Sequence, residues 1–176
     1  MHENAEKREQ IEQWYDEYSV PIFKYIAKMV KDFHQAEDLT QDTFIKAYNY
    51  QSTDKDIKYP KTFLYKIAHN LTIDHLRKQA PIQLIKDFFW NYSSREPSTE
   101  SIVEIQEDAK ELYRALEKLK STYRQVIILR QIEAFSTKET AHILGWSEGK
   151  VKTTLYRAML KLEEQLQKEM VMNESP

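Results

Sequence analysis

Apolar residues recur at steps of three and four along most of this chain, the period of an amphipathic helix. Ile11, Trp14, Tyr18, Ile22, Tyr25, Ile26 and Met29 predict a helix over residues 6–31. Pro21, which lacks an N–H, is expected to kink that helix or start a new one. Ala36, Leu39, Phe44, Ala47 and Tyr48 predict a second helix over 34–50. Phe63, Leu64, Ile67, Ala68 and Leu71 predict a third over 61–79, after a polar loop at 51–60.

Residues 80–100 break the pattern. Pro81 and Pro97 bracket several serines and an aromatic cluster, Phe88, Phe89, Trp90 and Tyr92. The segment reads as an interdomain linker. Its aromatics fit either a short helix packed on one domain or a docking element for a partner. Beyond it, Ser101 and Glu104 have capping-box spacing. Ile102, Ile105, Ala109, Leu112, Leu116 and Leu119 then predict a long helix. Another helix is expected over 122–133 around Val126, Ile127 and Leu129. The fold class is therefore all-α: two small helical domains, residues 1–80 and 101–170, joined by a linker at 81–100 and followed by a tail at 171–176.

The last third carries the most specific local signal. Ser136-Thr137-Lys138-Glu139 is a capping box, so a helix should begin at Thr137. Gly145 should end it, because glycine tolerates the left-handed exit. Ser147 can cap the next helix, with Glu148 in its first turn. Two short helices joined by such a turn form a helix-turn-helix. At 100° per residue, Val151, Leu155, Ala158 and Leu162 share one face of the second helix. Gly149, Lys152, Thr153, Tyr156 and Arg157 lie opposite, flanked by Lys150. These are DNA-groove side chains: cations for phosphates and guanine edges, and a threonine for a phosphate or a thymine methyl. A solvated amphipathic face is the alternative.

Charge distribution adds to this. The net charge of −2 says nothing about polyanions, but the stretch Lys150–Lys161 has four basic residues and no acid. The stretch Lys58–Lys78 has five basic residues against Asp74 alone. Two basic islands suggest two contact surfaces. Only 2 glycines argue against glycine-rich nucleotide loops, and the lack of cysteine excludes disulfides and cysteine zinc sites. The charged start of the chain has no signal-peptide pattern and no apolar run reaches about 18 residues, so a soluble, cytoplasmic protein is expected.

At these residues a resemblance emerges. Leu119-x-x-x-Tyr123-Arg124-x-Val126-Ile127-x-Leu129, Phe135-Ser136-x-x-Glu139-x-Ala141-x-x-Leu144-Gly145 and Ser147-x-Gly149-x-Val151-Lys152-Thr153 resemble region 4 of the extracytoplasmic-function (ECF) sigma factors. The run from Ala36 to Tyr48 resembles region 2.2, and the run from Lys61 to Arg77 resembles regions 2.3 and 2.4. The resemblance covers about residues 8–79 and 101–166. It implies a protein that binds core RNA polymerase and directs it to −10 and −35 promoter elements.

By that resemblance, Asp38, Leu39, Gln41, Asp42 and Phe44 would dock on the clamp helices of the largest catalytic subunit. Core packing is the alternative for Leu39 and Phe44, and a solvated face for the acids. Lys61, Thr62, Phe63, Tyr65, Lys66, His69 and Asn70 would meet the −10 element and assist melting. In this reading Lys61, Thr62, Tyr65, His69 and Thr72 lie opposite Ile67 and Leu71. Asn70 matches a family position at an extruded base, and the loop 51–60 would complete the pocket for that base. Lys150, Lys152, Thr153, Tyr156 and Arg157 would read the −35 element. The family usually has Trp where Phe63 stands and Arg where Lys152 stands, and Lys lacks the bidentate fork of Arg. A cognate anti-sigma factor, often membrane-bound, is a further implied partner.

No catalytic constellation accompanies these features. The sequence has no H-E-x-x-H, P-loop or G-x-S-x-G motif, and His34 with Glu37 lacks further metal ligands. Asp74 is expected to lie on the apolar face and pair with Arg77 or Lys78. No enzyme activity, metal, cofactor or small-molecule substrate is expected. The competing classes are a helix-turn-helix regulator that acts without being a polymerase subunit and a helical interaction adaptor.

Overall fold

The computed structural model describes residues 2–51, 57–90 and 107–173. Among them are seven α-helices and no strand. Helices α1 (His2–Val30), α2 (Phe33–Gln51) and α3 (Pro60–Trp90) form the first bundle, and α4 (Glu107–Lys118), α5 (Ser121–Ile127), α6 (Thr137–Leu144) and α7 (Glu148–Asn173) the second. A π-helical turn, Ile128–Ile132, extends α5.

The α1 stripe Trp14, Ile22, Tyr25, Ile26 and Met29 is buried against Ala36, Leu39, Phe44 and Ala47 of α2 and Leu64, Tyr65 and Ala68 of α3. Each fully buried large apolar side chain contributes roughly 1.5–3 kcal/mol of transfer free energy. Two threonines of α2 are buried as well. Thr40 donates to the Ala36 carbonyl at 2.6 Å and Thr43 to that of Leu39 at 2.7 Å, so neither hydroxyl is left unsatisfied.

Three boundaries differ from expectation. Helix α1 runs through Pro21 without a restart. A proline gives up one helical hydrogen bond, and burial of Ile22, Tyr25 and Ile26 just beyond it holds the helix together. Helix α3 starts at Pro60, where the missing N–H costs nothing, and continues through Pro81 to Trp90. The first ten residues of the expected linker are therefore helical. The rest of that linker and the Ser101–Glu104 capping box lie outside the described residues, as do residues 52–56 of the 51–60 loop. Finally, the helix expected over 122–133 changes to π pairing at Ile128, and the Glu133 N–H bonds the Ile128 carbonyl at 2.9 Å.

In the second bundle, Ala115, Leu116, Leu119, Val126, Ile127, Ala141, Val151, Ala158 and Leu162 form one core. Arg124, part of the Tyr123-Arg124 motif, caps α4: its guanidinium donates to the carbonyls of Leu116 at 3.0 Å, Glu117 at 2.7 Å and Leu119 at 3.2 Å. The two bundles also touch. Ile128, Leu129, Phe135 and Ile143 pack into the core of the first bundle, and α3 rests against α6.

Candidate nucleic-acid interface

The helix-turn-helix forms as its caps require. The Ser136 hydroxyl accepts from the Glu139 N–H at 3.1 Å, and the Glu139 carboxylate accepts from the Ser136 N–H at 2.8 Å. The bonds from Ser136 hold the Glu139 carboxyl below its usual range. Gly145 takes φ +68°, the left-handed exit. The Ser147 hydroxyl then accepts from the Lys150 N–H at 3.2 Å and opens α7.

The faces of α7 follow the expected wheel. Val151, Ala158 and Leu162 are buried, and Leu155 is partly so. Gly149, Lys150, Lys152, Thr153, Tyr156 and Arg157 are exposed, Tyr156 to 68%. The Lys150 ammonium lies 4.3 Å from the centre of the Trp146 ring, a cation–π contact that fixes it beside the first turn. The result is a protruding cationic face on a helix held rigidly from behind.

Helix α3 is arranged differently. Lys61 and Asn70 are exposed, and Lys66 and Phe63 are partly exposed. Phe63 packs edge-on against Trp14 at 6.2 Å and lies 5.3 Å from the ring of Tyr50. Thr62, Tyr65 and His69, expected on the DNA-facing side, are buried in this structure, Tyr65 to 0% and His69 to 6% exposure. Thr72 is buried too, its hydroxyl returned to the Ala68 carbonyl at 2.7 Å. The inner stripe is Leu64, Tyr65, Ala68, His69 and Thr72, whereas Ile67 and Leu71 are only partly covered. The expected orientation took Ile67 and Leu71 as the core markers. The larger Tyr65 ring, sandwiched between two bundles, sets the actual one.

Burial shapes the chemistry here. The Tyr25 hydroxyl lies 3.1 Å from His69 Nδ1. Burial lowers the His69 pKa to about 4 and pushes the Tyr25 phenol up. A phenol that keeps its proton therefore faces an imidazole kept neutral. The Tyr65 phenol is raised by burial and by its bond to Glu133. That bond, 2.7 Å to Glu133 Oε2, crosses between the bundles. Lys28 donates to the other oxygen of the same carboxylate at 2.9 Å.

On α2, Asp38, Gln41 and Asp42 are exposed. Leu39 and Phe44 are buried, and Phe44 meets Tyr15 at 4.9 Å between ring centres. Those two expected docking residues are core, packed with the α1 and α3 side chains of the first bundle. Ile45, 57% exposed, continues the acidic stripe instead. Its position one turn after Gln41 and Asp42 could have identified it. Asp74 is exposed and pairs with Arg77 at 3.8 Å, so the pair stands but the apolar placement does not. No group of three or more metal-ligating side chains occurs among the described residues, and no helix there is long and apolar enough to cross a membrane.

Two helical bundles in this order, the second ending in an exposed cationic recognition helix, define a promoter-binding protein of the sigma-70 type. The sigma-70 region 2 family model matches residues 14–82 and the sigma-70 region 4 model matches residues 109–162. The chain is 34% identical over 158 residues to the ECF RNA polymerase sigma factor SigX of Bacillus subtilis, covering 87% of this chain and 81% of that protein. It is also 34% identical over 168 residues to the RNA polymerase sigma factor YlaC of the same organism, covering 92% and 94%. Among solved structures it is similar to the sigma factor RpoE of Bartonella quintana in complex with the anti-sigma factor NepR. That match has a TM-score of 0.70 and 25% identity, and covers 90% of this chain and 97% of the other. The fold is shared with CnrH, solved with the cytosolic domain of CnrY, at a TM-score of 0.66. The chain belongs to the ECF family of RNA polymerase sigma factors. Core RNA polymerase and promoter DNA are accordingly its partners, and a regulator acting apart from polymerase is not favoured.

Proposed function

We propose that the two surfaces divide promoter reading between them. Residues 1–80 bind core polymerase and engage the −10 element, and residues 101–170 engage the −35 element. On α7, Lys152 and Arg157 contact phosphates or guanine edges, Thr153 contacts a phosphate or a thymine methyl, and Tyr156 and Lys150 flank them. On the first bundle, Lys61, Lys66 and Asn70 supply polar contacts to the −10 strand, and Phe63 supplies a ring edge for stacking. Asp38, Gln41 and Asp42, joined by Ile45, face the polymerase.

The observation that carries this reading is the α7 face: cationic, acid-free from Lys150 to Lys161, and exposed on a capped, glycine-terminated helix-turn-helix. The protein performs no chemistry of its own, and it acts in the cytoplasm, where the polymerase is. An anti-sigma factor is its expected regulator, as the similar sigma factor RpoE of Bartonella quintana is solved in complex with the anti-sigma factor NepR. Run-off transcription with purified core polymerase tests the reading. Promoter-specific transcripts should appear only when the protein is added, and their absence across a genomic template library would overturn it.

A further inference from the structure

Two four-residue runs open the helices of the helix-turn-helix with the same spacing: Ser136-Thr137-Lys138-Glu139 at α6 and Ser147-Glu148-Gly149-Lys150 at α7. In both, the serine hydroxyl accepts from the N–H three residues on, at 3.1 Å from Glu139 and 3.2 Å from Lys150. The runs part at their last residue. The Glu139 carboxylate accepts in return from the Ser136 N–H at 2.8 Å. The Lys150 ammonium has only donors and can accept nothing in return, and a cation in the first turn opposes the helix dipole. A glutamate at 150 would serve the helix start better. The lysine is held by a ring instead. Its ammonium lies 4.3 Å from the centre of the Trp146 ring. The Trp146 N–H bonds the Ala141 carbonyl at 2.9 Å, directly after the left-handed Gly145, and its side chain packs against the second core. The exit from α6 thus sets where the indole lies, and the indole sets where the charge lies.

We propose that Trp146 is a positioning residue for promoter binding. Its indole face holds the Lys150 ammonium at the N-terminal edge of the α7 face, beside Lys152 and Arg157, ready for a DNA phosphate. The proposal rests on the assignment of α7 to the −35 element. A lysine has a flexible four-carbon stem and loses much rotamer freedom when it is ordered. A lysine already seated on a ring has lost part of that freedom before DNA arrives, so its phosphate contact costs less to form. Phosphate contacts carry no sequence information directly. Trp146 therefore governs affinity for any −35 sequence, not the discrimination between sequences.

The test uses holoenzyme assembled from core polymerase and the full chain, on a promoter fragment that yields a specific transcript. Lys150→Met should weaken binding about tenfold and make the slope of log affinity against log salt shallower by about 0.9, the signature of one lost phosphate contact. Trp146→Leu should weaken binding roughly three- to tenfold, equally on cognate and scrambled −35 sequences, and Trp146→Tyr, which keeps a ring face, should retain most of the affinity. In the Lys150→Met background, Trp146→Leu should cost nothing further, because the ring then has no cation to hold. Thermal unfolding confirms that each variant is folded, and Trp146→Met takes the place of Trp146→Leu if that variant unfolds. Equal losses from Trp146→Leu with and without Lys150 would make the indole core packing alone and overturn the proposal. So would unchanged affinity and salt slope in Lys150→Met. If Arg157→Ala then still lowers −35 discrimination, the α7 assignment stands without the positioning role; if it does not, the assignment falls as well.

Discussion

Helix α7 is supported from one side and keeps a wide cationic face in solvent. Helix α3 is enclosed on two sides, by α1 and α2 on one and by the Glu133–Phe135 turn on the other. Both carry basic residues, and both lie in segments that match sigma-70 family models. The difference is the number of partners. A helix with one buried face obeys a single amphipathic wheel, so its free face follows from its apolar one. A helix wedged between two bundles has a broad buried sector that includes polar and aromatic side chains, each with its own hydrogen-bond partner.

The largest expected effect follows from that contrast. Tyr65→Ala on α3 should destabilise the fold by about 3–5 kcal/mol, the range for removing a fully buried aromatic side chain. Tyr156→Ala on α7 should change stability by no more than about 0.5 kcal/mol. Denaturant unfolding of the two variants decides the matter. Equal, small losses would mean that Tyr65 is not enclosed in solution and that the two helices are alike after all.

The next effect is confined to α3 and depends on pH. Burial lowers the His69 pKa from an ordinary 6.5 to about 4. The folded state therefore disfavours its protonation. Stability from the neutral ring is fully present above pH 6.5, declines as pH falls from 6.5 toward about 4, and is gone below that. The loss should be on the order of 3–4 kcal/mol, at about 1.4 kcal/mol per tenfold change in proton affinity. His142 on α6 is also lowered, by burial and by Lys66, but it is exposed. Stability curves between pH 7 and 4.5 for His69→Gln and His142→Gln separate the two. His69→Gln should flatten the curve and His142→Gln should leave most of it. The reverse result would place the sensitive imidazole on the second bundle.

These contrasts also explain what was legible in the sequence. The all-α class, the order of the helices and the whole helix-turn-helix follow from period, capping boxes and one glycine, all local signals. The α7 face was legible for the same reason. The burial of Tyr65 and His69 was not, because it depends on Tyr25, 44 residues from His69, and Glu133, 68 residues from Tyr65. No periodicity within α3 reports those partners. Leu39 and Phe44 were misplaced for a simpler reason: a motif match marks a helix, and only the wheel separates its faces. The run through Pro21 and Pro81 shows burial or length prevailing over a local breaker.

A smaller effect tests α7 directly. Arg157→Ala should cost about 1–3 kcal/mol of discrimination between a cognate −35 element and a scrambled one. Core polymerase binding should be unchanged, because Arg157 is exposed and away from the acidic stripe of α2. Competition binding with duplexes carrying each −35 sequence, run beside a core-binding titration, gives both numbers. Parallel loss of core binding would remove Arg157 from the reading face.

The smallest effect concerns the turn that aims α7. A Cβ at Gly145 would meet nothing within 4 Å, yet the residue sits at φ +68°. The cost of Gly145→Ala should therefore be purely conformational, about 1–2 kcal/mol. Gly145→Asn should cost less, since asparagine visits the left-handed region more readily. Ser136→Ala, which removes one half of the capping box at the other end of α6, should cost about 1 kcal/mol. Thermal unfolding of the three variants orders them. If Ala and Asn at 145 cost the same, the penalty is not one of backbone conformation, and the exit from α6 has shifted. In that case the −35 discrimination of the Gly145 variants should fall with their stability, because in the proposed reading the angle between α6 and α7 sets how Lys152 and Arg157 meet the groove.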